Sequence, residues 1–204
     1  KQMLDDCIID GEPFGYIAQN SQIRSIDGWT QPSRYGVLCS IDDLWERGSN
    51  IIFTATANQR FEILEVIQSA LPSTPFGDIY PTVDDLVEQY IENSPQGKLY
   101  LRATIRLLDD LEGNVSPKDW SLFLNDWAHH IVDFNTIFNN EKLDLDQVLS
   151  ILKTEFLPYD NSSLWQVADA ILIRQEERQA ALSSVSCDDV FSILRLAIPE
   201  IETH

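Results

Sequence analysis

The chain has 204 residues, 44% of them hydrophobic, with 8 Gly and 9 Pro, which is enough apolar material for one generous domain or two small ones and excludes a disordered or fibrous chain. Against 14 Lys and Arg stand 33 Asp and Glu, a net charge of −19, and such a surplus repels phosphate backbones and anionic lipid, which speaks against nucleic-acid and membrane-surface binding. Cut after Gly113, the halves carry −10 and −9, from 8 basic and 18 acidic residues before the cut and 6 and 15 after it, so the charge belongs to the whole surface and is not a tail.

Met3, Leu4, Cys7 and Ile8 recur at helical spacing and predict a helix over 1–9, stopped by Asp10-Gly11. Because the numbering begins inside that helix, at Lys1, an upstream segment is expected to precede it. Residues 14–19 read as a strand, 20–33 as a polar loop with Asp27-Gly28 and Pro32, and 35–41 as a second strand. Runs rich in β-branched and aromatic residues at 51–57 and 61–67, joined by the polar Asn58-Gln59-Arg60, predict a hairpin with its turn at that link. Residues 68–98, with Pro72, Pro75 and Pro81, form a long insertion holding one small helix, for which Thr82 is the cap and Asp85 stands three residues on. The clearest strand is 99–108, with Leu99, Leu101, Ala103, Ile105 and Leu107 on one face and Tyr100, Arg102, Thr104 and Arg106 on the other.

After Gly113-Asn114 the period changes from two to nearly four. Ser116-Pro117 opens a helix whose stripe is Trp120, Phe123, Leu124, Trp127, Ile131, Phe134 and Phe138. Further helices are predicted at 145–156, 163–172, 174–182 and 188–197, the last capped by Ser186 with Asp189 three residues on. The fold class is therefore α+β, with a β-rich domain at 1–113 and a helical bundle at 114–204.

Reactive chemistry has no visible seat in the pattern. Cys7, Cys39 and Cys187 fit neither a disulfide framework nor a zinc knuckle, which places the chain in a reducing cytoplasm. His129 and His130 are adjacent, whereas a helical metal pair needs i and i+4 spacing. The Asp-Asp pairs at 5–6, 42–43, 84–85, 109–110 and 188–189 suit turns and helix starts better than paired acid and base catalysts. No phosphate-binding loop or Gly-x-Ser-x-Gly elbow occurs, and no cofactor, metal or transmembrane segment is expected.

The segments Lys1-Gln2-Met3-Leu4-Asp5-Asp6-Cys7, Pro13-Phe14-Gly15-Tyr16-Ile17-Ala18, Tyr35-Gly36-Val37-Leu38-Cys39 and Asn58-Gln59-Arg60-Phe61-Glu62-Ile63-Leu64-Glu65, in that order, resemble landmarks of the Lon N-terminal, substrate-binding domain family. In the second half, Leu164-Trp165-Gln166-Val167-Ala168-Asp169 and Arg178-Gln179-Ala180-Ala181-Leu182 resemble the helical part of its stand-alone members. The resemblance implies a twisted, PUA-like β pseudo-barrel, lacking the family's first hairpin before Lys1, followed by a helical bundle. It also implies a non-enzymatic recognition role, with unfolded or tagged polypeptides as clients and an ATP-dependent protease as partner. Phe14, Gly15, Gly36 and Phe61 match family positions and are expected to serve the core and close backbone packing. For peptide contact the candidates are the loop aromatics Trp29, Phe76 and Tyr80. The alternatives are a scaffold that oligomerises through the helix 120–138, and a hydrolase using His129 or an aspartate pair.

Overall fold

The β-branched and aromatic residues between 35 and 67 make two long strands, not the three short ones expected. The computed structural model describes residues 2–20, 31–48, 50–71, 81–91, 97–157 and 159–198. Its contacts divide the chain into two units, Lys1–Asp109 and Asp110–His204.

In the first unit, helix α1 (Gln2–Asp10) leads to β1 (Phe14–Tyr16), β2 (Tyr35–Arg47) and β3 (Asn50–Ile67), then helix α2 (Val83–Tyr90) and β4 (Arg102–Leu107). The four strands form an antiparallel sheet in the order β1-β2-β3-β4, and among the described residues it stays open and does not close into the expected pseudo-barrel. Between the long strands Gly48 has φ +64° and Arg47 pairs with Asn50; a left-handed φ is what a tight hairpin connection demands and glycine supplies.

The hairpin expected at Asn58-Gln59-Arg60 is not there. That polar run continues β3 because each side chain finds a partner across the sheet: Asn58 Nδ2 donates to Ser40 Oγ at 2.9 Å, Gln59 Nε2 to the Leu108 carbonyl at 3.2 Å, and Arg60 Nη2 to the Asp109 carbonyl. Asn58 is one of three extra residues that shift the register, with Asp42 on β2 and Leu64 further along β3, and such bulges bend a strand without ending it. Phe61 is 1% exposed and lies opposite Gly36, so Phe61 and Gly36 take the packing duties expected of them. The insertion helix is α2, where Thr82 and Asp85 form a reciprocal capping box.

The second unit is helical: α3 (Pro117–Phe134), α4 (Leu145–Phe156), α5 (Asn161–Ile171), α6 (Gln175–Ser183) and α7 (Cys187–Ala197). Ser116 caps α3 through the Asp119 N–H, Asp144 and Asp160 cap α4 and α5, and Ser186 with Asp189 boxes α7. Together with the sheet these helices make the class α+β, as expected. Trp120 is fully buried at the centre, with the rings of Phe123, Tyr159 and Phe191 at 5.5, 5.0 and 6.1 Å and its indole N–H on the Phe156 carbonyl at 3.0 Å. The stripe expected to run as one helix to Phe138 changes at Asn135 into a π-helical turn, Asn135–Asn139, closed by Asn140 at φ 53°. In it Asn135 Nδ2 and Thr136 Oγ1 donate back to the carbonyls of Ile131 and Val132, competing with the regular helical ladder.

Candidate functional site

Beyond residue 40, β2 and β3 run on as a two-stranded ribbon: β1 pairs only with residues 37–39 of β2, and β4 only with residues 61–67 of β3. Alternation gives the ribbon two unlike faces. One carries the cross-strand pairs Trp45/Ile52, Asp43/Thr54 and Ser40/Thr56, with Thr56 Oγ1 donating to Asp42 at 2.7 Å. The other carries Leu44/Phe53, Ile41/Ala55 and Cys39/Ala57, joined by Phe14 from β1, whose ring meets Phe53 edge-on at 5.8 Å. Of this apolar face Leu44 is 38% exposed, Ala55 and Ala57 are exposed, and Phe14, Ile41 and Phe53 are half-buried.

Followed toward the base of the sheet, the same face turns polar. Val37/Arg60 comes next, then Tyr35/Glu62/Arg106. Glu62 is 1% exposed, and it is clamped by two guanidiniums that are themselves open, with side chains 69% exposed for Arg34 and 64% for Arg106. Arg34 Nε donates to Glu62 Oε1 at 2.6 Å, its Nη2 bridges to the same oxygen, and Arg106 Nη2 bonds Oε2. Arg34 also lies 5.7 Å from the centre of the Tyr35 ring. From Leu44 to Tyr35 the face runs roughly 30 Å at about 3.3 Å per residue, the reach of eight or nine extended residues. Glu46, opposite Ile51, stands on this face at its tip, and the arginines stand at its base.

Charge fixes the behaviour of this cluster with pH. The Arg34 hydrogen bond holds the Glu62 carboxyl below its ordinary value of 4.5, against the pull of burial and with help from the charge of Arg106. A carboxyl lowered in the folded state gives stability that is fully present above its unfolded value and is lost as pH falls through the folded one. Glu62→Gln should therefore flatten the acid limb of the stability profile. Urea midpoints measured from about pH 5 to about pH 3 would show wild type losing stability more steeply; parallel profiles would exclude the coupling. A second polar tie joins α1 to the chain before β4: Lys98 Nζ and Tyr100 Oη each donate to Asp6 at 2.8 Å, which lowers the Asp6 carboxyl, while burial and Asp6 push the Tyr100 hydroxyl up to about 12.

Trp29, Phe76 and Tyr80, the aromatics expected to touch peptide, lie outside the described residues. His129 is exposed and His130 half-buried, its ring 6.3 Å from that of Phe134. Among the described residues no group of three or more His, Cys, Asp or Glu is placed to hold a metal, and no helix is long and apolar enough to cross a membrane. The ribbon face and the Arg34–Glu62–Arg106 clamp were missed by the sequence reading. For the ribbon a signal existed: Gly48-Ser49, set between apolar runs, is a hairpin dipeptide. For the clamp none did, since its members lie 28 and 44 residues apart.

No family model and no curated protein sequence matches the chain. Among solved structures, the crystal structure of a Lon N-terminal domain protein from Xanthomonas campestris matches it at 12% identity with a TM-score of 0.55, covering 97% of this chain and 82% of that one. At that identity the likeness is one of fold: the chain has the fold of a Lon N-terminal domain protein, as the sequence landmarks implied.

Proposed function

We propose that the chain is a non-catalytic module that recognises extended segments of other polypeptides on the apolar face of the β2–β3 ribbon. The observation that carries this reading is the partly exposed Leu44, Ile41 and Phe53 surface, set on a ribbon whose outer edges pair with no other strand among the described residues. Unpaired N–H and C=O groups along such an edge offer main-chain hydrogen bonds to an added strand, and the apolar face takes alternate side chains. Unfolded or tagged polypeptides expose both kinds of group, so they are the client class, and an ATP-dependent protease is the partner that would consume them. The fold likeness to a Lon N-terminal domain protein supports this reading.

The opposed faces provide the test. Leu44 and Trp45 are neighbours, both exposed, but pair across the ribbon on different sides. Binding of a permanently unfolded, reduced and alkylated protein, followed by fluorescence anisotropy, should weaken about tenfold or more for Leu44→Asp, the worth of one buried leucine. Trp45→Asp should leave it unchanged. Loss in Trp45→Asp alone would move the site to the other face, and no binding by wild type would end the recognition reading.

The scaffold alternative has one observation in its favour. Phe134, Ile137 and Phe138 are 44, 50 and 67% exposed on the π-helical end of α3, and the two phenyl rings lie 4.7 Å apart. The rest of the stripe is spent inside, since Trp120, Phe123 and Leu124 are core. This end is the exposed part of the stripe, and light scattering of Phe138→Asp against wild type decides whether it serves association.

A further inference from the structure

We propose that Arg34 and Arg106, held by Glu62, form a carboxylate clamp that fixes the acidic end of an extended client at the base of the ribbon face. The inference rests on the recognition reading and adds to it the chemistry of one end of the ligand. One guanidinium suffices to neutralise one buried carboxylate; here two converge on it, leaving the cluster with a net positive charge on a chain of net −19. Glu62 is buried, whereas both arginine side chains are mostly exposed. Each guanidinium has five N–H donors in a fixed fork, and Glu62 uses only some of them. The donors that remain are held in place, so a second carboxylate meets groups that need no further ordering, which is the condition for a strong charge-assisted contact.

The position of the clamp sets the ligand. It closes the base of a face about 30 Å long at strand spacing, while Glu46, paired with Ile51, stands on the same face at the far end. A segment lying along the face thus meets the Glu46 carboxylate at the tip and two guanidiniums at the base, which favours one polarity: amino or basic end outward, carboxylate at Arg34 and Arg106. The carboxylate has two sources, a chain terminus or an Asp or Glu side chain, and the chemistry of the clamp serves both.

Three labelled ten-residue peptides of alternating Val and Ser, each beginning with Lys, test this on the full chain. One ends in a free carboxylate, one in an amide, and one in an amide with Asp as its last residue. Wild type should bind the first about tenfold more tightly than the second, the worth of one charge-assisted contact at an exposed site, with the advantage shrinking as salt rises. If the third peptide matches the first, a side chain serves; if it matches the second, a terminus is required. Arg34→Gln and Arg106→Gln should each bring the ratio between the first and second peptides toward one. Because the wild-type comparison involves no substitution, a variant that fails to fold does not weaken the test. Equal binding of all three peptides by wild type would overturn the clamp while the recognition reading stands; binding of none would overturn both.

Discussion

Trp120→Ala should cost the helical unit about 3–5 kcal/mol, the range for deleting a large aromatic from a packed interior. Trp120 is fully buried, three aromatic rings lie within about 6 Å, and Leu124, Leu164, Val167, Val190 and Leu194, each fully buried, belong to the same cluster. The hole left by an indole cannot be refilled by neighbours held in α3, α5 and α7, each fixed by its own side-chain cap. Trp120→Phe separates the two contributions: most of the packing remains, but the Phe156 carbonyl loses the donor now 3.0 Å away, a loss of about 1–3 kcal/mol if no water replaces it. Urea titration followed by far-UV circular dichroism, with amide exchange in α3 and α7, reads both. An alanine variant as stable as the phenylalanine one would show that this ring is not the centre of the core.

Gly36→Ala is the second large effect, and its cause is different. A Cβ at residue 36 would stand 2.7 Å from Ile17 Cγ1, 2.8 Å from Phe61 Cζ and 2.8 Å from the Tyr16 carbonyl oxygen. The first two are side-chain atoms and can turn aside; the third is backbone of β1, a strand three residues long that pairs with β2. Relief therefore means shifting β1, and the expected cost lies at the upper end of the about 1–3 kcal/mol typical of overpacking. Gly15→Ala makes a useful contrast, because its nearest neighbours are side-chain atoms, Phe61 Cζ at 3.1 Å first among them. It should cost distinctly less. Phe61→Leu should not rescue Gly36→Ala, since the carbonyl clash survives it. Rescue would place the conflict in the ring and not in the strand.

What could be read from the residues divides by range. The caps at Thr82, Ser116 and Ser186 were legible because a helix cap closes within four residues, and the buried stripe of α3 was legible as far as its period held. The π-helical turn at Asn135–Asn139 was not, because Phe138 continues the helical spacing while asparagine and threonine side chains reset the backbone locally. Asn58-Gln59-Arg60 misled for a related reason: polar residues in a row resemble a turn until their partners, 18 and 49 residues away in sequence, are known. The α+β class and the Lon-like landmarks were visible. The Glu62 clamp, assembled from three distant segments, was not.

A ribbon with unpaired margins carries a hazard that this sequence answers. Exposed strand borders template stacking between copies, and the usual remedies are charge and local irregularity. Both are present: Asp42, Asp43 and Glu46 line the distal half, while Asp42 and Asn58 interrupt the ladder as extra residues. Mutual repulsion between identical molecules at −19 extends the same protection over longer distances. The acidity that first argued against nucleic acid is thus also what lets a sticky surface stay open in a concentrated solution of its own kind.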